Sequence, residues 1–164
     1  MTPRRTALVA LVAVAVFVLD RLTKEAVQRS LAIGASVEVA GPWVRISHVR
    51  NSGAAFGLLP ERTTLLSLLS VVAVVAIVYY YRRLAADSPL IAATLGMQLG
   101  GALGNLVDRV ANGSVVDFVD VGLPDGPRFW AFNVADSSIV VGIIAVTVLL
   151  WWEERRQARG AAHA

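Results

Sequence analysis

Four long apolar runs constrain this chain more than anything else in it. They cover about residues 6–28, 63–81, 90–107 and 132–152. A helix of about 19 residues rises roughly 28 Å, close to the hydrocarbon thickness of a bilayer. With no water available in lipid, a spanning segment must satisfy its own backbone, which a helix does. The pattern therefore predicts a mainly α, integral membrane protein: a bundle of four transmembrane helices in one membrane-embedded domain over residues 1–164. Of the 164 residues, 56% are hydrophobic and only 16% are charged, which rules out an ordinary soluble domain. The net charge of +3 gives no reason to expect nucleic acid, because the arginines cluster beside the apolar runs. The chain has no cysteine, so disulfides, thiolate metal sites and a cysteine nucleophile are excluded.

Arg4-Arg5 before the first run resembles the start of a secretory signal peptide. No small-x-small cleavage site follows directly, and Asp20-Arg21-Leu22-Thr23-Lys24 continues a helical pattern, so the segment reads as a retained anchor. Arginines flank the amino end, the link at Arg82-Arg83 and the tail at Arg155, Arg156 and Arg159. By the positive-inside rule, both termini are then cytoplasmic and the two long connections face outward. Tyr79-Tyr80-Tyr81 and Trp151-Trp152 fit interfacial belts on the cytoplasmic side. In the first outer connection, Val37-Glu38-Val39 and Val44-Arg45-Ile46-Ser47 alternate apolar and polar around Gly41-Pro42, which predicts a small hairpin or sheet. Leu58-Leu59-Pro60 stops that connection, Gly122 and Asp125-Gly126-Pro127 mark turns in the second, and the tail at 153–164 reads as flexible. Gly96, Gly100 and Gly104 form a stripe suited to close helix packing.

Some polar side chains are left unexplained by the apolar pattern: Asp20, Lys24, Asn51, Gln98, Asn105, Asp108, Arg109, Asp117, Asn133 and Asp136. All but Gln98 fall near the outer helix ends. Ionisable groups at a membrane boundary are costly and usually functional. Asp117 and Asp136 are the strongest pair. Two close carboxyls share a proton near neutral pH; the ionised one can take a proton from water and the protonated one can polarise a carbonyl. Taken alone, either Asp reads better as a helix cap, Asp136 above all. Asn51, Asn105 and Asn133 offer neutral donors and acceptors for clamping an extended peptide, or for joining helices. Asp108 beside Arg109 suggests an orienting ion pair, and Asp20 and Lys24, four apart, suggest a pair along one helix. His48 reads as a surface or packed residue and His163 lies in the tail, so no metal site is expected. No serine has a useful Lys or His partner by spacing. A proton-coupled transporter would use the same acids as a relay, and a packing scaffold would use them as caps; the absence of midplane acids disfavours the former.

Five blocks then occur in order: Asp20-Arg21-Leu22-Thr23-Lys24; Arg50-Asn51-Ser52-Gly53-Ala54-Ala55-Phe56-Gly57; residues 100–109 with Asn105, Asp108 and Arg109; Val115-Val116-Asp117-Phe118; and Phe132-Asn133-Val134-Ala135-Asp136-Ser137-Ser138. Together they resemble the bacterial lipoprotein signal peptidases (type II signal peptidases). The resemblance implies a four-span enzyme of the cytoplasmic membrane with a small extracytoplasmic β-sheet and a short surface helix. It implies an aspartic endopeptidase that removes signal peptides from prolipoproteins, just before a diacylglyceryl-modified cysteine. It assigns catalysis to Asp117 and Asp136, contact with substrate or inhibitor to Asn51, Asn105, Arg109 and Asn133, and support to Asp20; beside it, Lys24, Gly53 and Asp108 read from their own positions as supporting residues. It implies inhibition by globomycin, membrane lipids as surroundings, and neither cofactor nor metal.

Overall fold

The computed structural model describes residues 3–53, 62–84 and 88–161. In chain order the elements are α1 (Pro3–Ser30), β1 (Ser36–Ala40), β2 (Val44–Asn51), α2 (Thr63–Leu84), α3 (Pro89–Asn112), β3 (Val115–Val121) and α4 (Val134–Ala161). All four helices are long and apolar enough to cross a membrane. Leu11, Val72 and Ile144 are exposed on their outer faces, as a lipid solvent allows.

Helix α3 is the hub, packing against α1, α2 and α4. Small residues permit this. A Cβ added at Gly96 would lie 2.7 Å from the Val9 carbonyl oxygen of α1, and one at Gly101 would lie 2.5 Å from the Ala135 carbonyl oxygen of α4. The glycine stripe thus does pack helices, and its neighbour Gly101 serves a second partner on the other side. Val9, Ile91, Ala92 and Leu95 form an apolar core near the starts of α1 and α3, leaving the far ends of both helices for polar groups. Ser88 caps α3 by accepting the Ile91 N–H at 3.3 Å. Gly113, at φ 67°, ends it in the left-handed conformation and turns the chain into β3.

The sheet is antiparallel in the order β1-β2-β3. The hairpin predicted around Gly41-Pro42 is its first two strands. The third strand was not foreseen. Between β2 and β3 the register changes: Ile46 faces Val119, but Val49 faces Asp117. One extra β2 residue is accommodated there as a β-bulge. The slip puts Val49 and Asn51, in place of His48 and Arg50, on the face that carries Asp117. After the turn, the chain runs back along β3, with Phe132 N–H bonded to Val119 O at 3.1 Å and Phe129 N–H to Val121 O at 2.7 Å. This return delivers the chain to the start of α4.

Several boundaries differ from the sequence-based expectation. The third helix continues beyond 107 to Asn112, so Asp108 and Arg109 are helical and not part of the connection. The segment expected to be a flexible tail continues α4 to Ala161, with the Arg155 guanidinium 4.3 Å from the Trp151 ring centre one turn earlier. Ala54-Ala55-Phe56-Gly57, Leu58-Leu59-Pro60 and His163 lie outside the described residues, and no short surface helix stands among the described ones.

Candidate active site

Asp136 is held by the start of its own helix. Asn133 is the residue before α4; its Oδ1 accepts the Asp136 N–H at 2.9 Å, and Asp136 Oδ2 accepts the Asn133 N–H at 3.2 Å. This reciprocal pairing has the form of a capping box. The cap that a lone Asp would suggest is therefore present, and it leaves Oδ1 of Asp136 for another donor. That donor is Asn105 Nδ2, at 2.7 Å. Asp117 comes from β3 and is 2% exposed. It accepts Asn133 Nδ2 at 2.7 Å and Asn51 Nδ2 at 2.8 Å. Asn133 thus bonds to both acids. Asn51 reaches Asp117 because of the bulge, and its own oxygen accepts the Gly53 N–H at 2.9 Å.

Behind the acids lies a buried charge cluster. Lys24 has no exposed surface, and its Nζ is 2.8 Å from Asp20 Oδ2, 2.8 Å from Asp108 Oδ2 and 2.9 Å from Asn105 Oδ1. The pairing of Asp20 with Lys24 expected from spacing is there. The expected pairing of Asp108 with Arg109 is not: Asp108 pairs with Arg21 and Lys24 of α1. Consecutive helical residues point about 100° apart, so Asp108 faces α1 while Arg109 turns to α2, where its Nη1 lies 3.4 Å from Ser70 Oγ. Asp20 also accepts the Ala135 N–H at 3.0 Å, tying α1 to the first turn of α4. Gly104 leaves room for this arrangement; a Cβ there would meet Asp20 Oδ2 at 2.5 Å.

A cavity of about 440 Å³ opens on Asn51, Arg109, Asp117 and Asp136, with walls from the 129–132 return and from Val140 and Val141 of α4. A smaller one of about 200 Å³ adjoins it along Asn51, Gly53 and Asp117. Burial lifts the Asp117 carboxyl from 3.8 to about 7, and the nearby Asp136 charge adds to the rise; the amide bonds from Asn51 and Asn133 and the Lys24 charge oppose it. Among the described residues, no group of three or more His, Cys, Asp and Glu side chains could hold a metal ion. His48 is packed: 4% exposed, its Nδ1 is 2.9 Å from the Leu31 carbonyl oxygen at the end of α1.

The structure thus gathers Asp20, Lys24, Asn51, Gly53, Asn105, Asp108, Asn133, Asp117 and Asp136 into one hydrogen-bonded assembly, with Arg109 in the cavity wall. Residues that pattern alone missed are Arg21, Ser70 and the cavity aromatics Phe129, Trp130 and Phe132. Arg21 left no signal beyond adjacency to Asp20. The exposed Phe129 and Trp130, amid turn residues, left a clearer one.

Comparison with known proteins identifies the family. Residues 12–152 match the family described as "Signal peptidase (SPase) II". A lipoprotein signal peptidase of Moorella thermoacetica is 39% identical over 142 residues, covering 86% of this chain and 89% of the relative. One from Staphylococcus carnosus is 34% identical over 145 residues, covering 88% and 91%. Two solved structures described as bacterial membrane enzymes share 34% identity. One, at 2.3 Å resolution, superposes with a TM-score of 0.79 over 89% of this chain and 88% of the other; the second, at 1.9 Å, gives 0.73 over 87% and 91%. With the family matched across nearly the whole helical bundle, this chain belongs to the lipoprotein signal peptidases, aspartic peptidases of the bacterial membrane.

Proposed function

We propose that this chain removes signal peptides from prolipoproteins, cutting before a diacylglyceryl-modified cysteine, with Asp117 and Asp136 as the catalytic pair. The observation that carries the reading is that a buried acid and a half-buried one share one cavity, are bridged by one asparagine, and receive only neutral amide donors. Burial favours the proton on Asp117 up to about pH 7, and we assign Asp136 as the base. Asp136 takes a proton from water as the water oxygen attacks the scissile carbonyl carbon, and Asp117 gives its proton to the carbonyl oxygen. As the C–N bond breaks, the proton on Asp136 passes to the leaving nitrogen and Asp117 takes a proton back from a gem-diol hydroxyl, leaving the carboxylic acid and the pair as it began. No covalent enzyme intermediate forms.

Asn51, Asn105, Arg109 and Asn133 contact substrate or position the acids, while Asp20, Lys24, Gly53 and Asp108 support them. The apolar cavity wall supports a lipid-modified peptide as substrate and a globomycin-type cyclic peptide as occupant of the same space. The arginines at both termini and beside α2 support cytoplasmic ends and a site at the outer face. The test is cleavage of a diacylglyceryl-modified precursor in detergent or proteoliposomes. Asp117→Asn and Asp136→Asn should each lose roughly 10³-fold or more in kcat while remaining folded. Near-wild-type cleavage by either variant would reject the pair.

A further inference from the structure

The three asparagines at the acids share one arrangement: each has its oxygen pinned by a donor and hands an N–H to a carboxyl. Gly53 N–H pins Asn51, and the Asp136 N–H pins Asn133. Both of these pins are backbone groups, set by local chain geometry. Asn105 is different. Its Oδ1 accepts from Lys24 Nζ at 2.9 Å and, more distantly, from Asn133 Nδ2 at 3.2 Å. Asn133 Nδ2 has two hydrogens for three acceptors within reach, with Asp117 Oδ1 nearest at 2.7 Å and Val116 O at 3.3 Å. Asn105 therefore depends chiefly on Lys24.

A side-chain amide can turn over with almost no change in shape, and a flip would exchange donor for acceptor. An ammonium group has donors only. With Lys24 against Asn105, the carbonyl oxygen must face α1 and the NH₂ must face Asp136. We propose that Lys24 is a positioning residue for proteolysis: it locks the orientation of the Asn105 amide, so that Asp136 always receives an N–H and stays the base of the pair. This rests on the assignment of Asp117 and Asp136 as the catalytic acids. Lys24 itself is wholly buried and lines neither cavity beside the acids, so its effect on the chemistry passes through Asn105 and through its charge. Gly104, Asp20 and Asp108 fix the ammonium in turn, from two helices.

The charged and titratable groups facing the acid pair are Asp20, Arg21 and Lys24 from α1, Asp108 and Arg109 from α3, and the acids themselves from β3 and α4. Replacing Lys24 alone would leave Asp20 and Asp108 buried with too little counter-charge, so the test variant is the charge-balanced pair Lys24→Gln with Asp20→Asn, which keeps the Arg21–Asp108 ion pair. The pair should lower kcat roughly 10- to 100-fold, the factor expected for loss of a hydrogen bond to a charged group, with KM little changed. The acidic limb of the pH–rate profile should move to higher pH as ionised Asp136 loses its donor. In an Asn105→Ala background the same pair should change kcat by less than about threefold, because the link it acts through is already gone. An equal loss in both backgrounds, or no loss in either, overturns the proposal. Should the Asn105→Ala background fall below detection, the side-chain amide ¹⁵N–¹H resonances of Asn105 provide the readout. They should move on the Lys24→Gln/Asp20→Asn change and also on Asp136→Asn; resonances unmoved by the former overturn it. Activity retained in Asp136→Asn would instead sink the catalytic assignment and leave the measured Lys24–Asn105 coupling standing.

Discussion

Two largely buried polar clusters sit side by side in this protein and are built on opposite rules. In the first, Asp20, Arg21, Lys24 and Asp108 balance two negative charges with two positive ones, across α1 and α3. In the second, Asp117 and Asp136 face each other's charge, and no ion pair joins either to a cation among the described residues. They receive amide N–H groups instead. Burial costs both clusters the solvation of their charges. Counter-charges offset part of that cost in the first. In the second the cost is met by retaining a proton, which makes the proton available for chemistry. The difference separates charges that hold α1 to α3 from the pair proposed to react.

The sharpest way to break this contrast is to remove one acid from each cluster. Asp136→Asn takes away the proposed base but keeps an oxygen for the cap, so cleavage should fall roughly 10³-fold or more with thermal stability near wild type. Asp108→Ala takes the partner from half-buried Arg21 and leaves the fully buried Lys24 with Asp20 alone, so stability should fall by roughly 3–5 kcal/mol, and activity with it. Thermal unfolding in detergent alongside a cleavage assay reads both. A stable, active Asp108→Ala enzyme would show that the first cluster is not structural.

The pH dependence is the next lever. Folding raises the Asp117 carboxyl from 3.8 to about 7. Between those values the folded protein holds a proton that the unfolded chain has released. The favourable contribution is therefore fully present below about pH 4 and is lost as pH rises to about 7, with a ceiling of roughly 4 kcal/mol. Asp117→Asn should flatten that fall in denaturation curves taken from pH 4 to 8. Cleavage should likewise decline above about pH 7, as Asp117 gives up its proton. Asn51→Leu removes a donor to the ionised form, so it should move the alkaline limb upward as well as slow the reaction. A limb that stays in place would detach Asn51 from Asp117.

How far the sequence alone discloses these clusters follows from the physics of each. The four helices are legible because lipid demands long uninterrupted apolar runs. The hairpin around Gly41-Pro42 is legible because β1 and β2 alternate. β3 is not, because Val115, Val116, Asp117 and Phe118 are all buried, so burial on both faces removes the alternation. The bulge at Ser47-His48 leaves no pattern either, although it decides that Asn51 meets Asp117. The polar residues converge at one end of the helices, as their positions along the apolar runs suggest. Their pairing is another matter. Asp108 next to Arg109 looks like an ion pair on paper, but helical geometry sends the two side chains apart. The true partners of Asp108 lie more than eighty residues away on α1, where only the packing permitted by Gly96, Gly100 and Gly104 brings them.

The smallest expected effect tests the comparison from outside the membrane. Arg45 and Glu38 pair across β1 and β2 at 3.2 Å, with side chains 28% and 52% exposed. The separation is close to the 2.8 Å of Lys24 to Asp20 and to Asp108, which are fully buried. If distance set the worth of an ion pair, all three would matter alike. Water should decide instead. At Glu38 solvent can replace the lost partner, and ordering two long side chains offsets much of the attraction. Glu38→Ala should therefore change stability by less than about 0.5 kcal/mol and leave cleavage untouched, measured beside Asp108→Ala in the same unfolding assay. A loss at Glu38 comparable to that at Asp108 would mean that the inner cluster owes nothing to its burial, and the distinction between holding charges and reacting charges would need another basis.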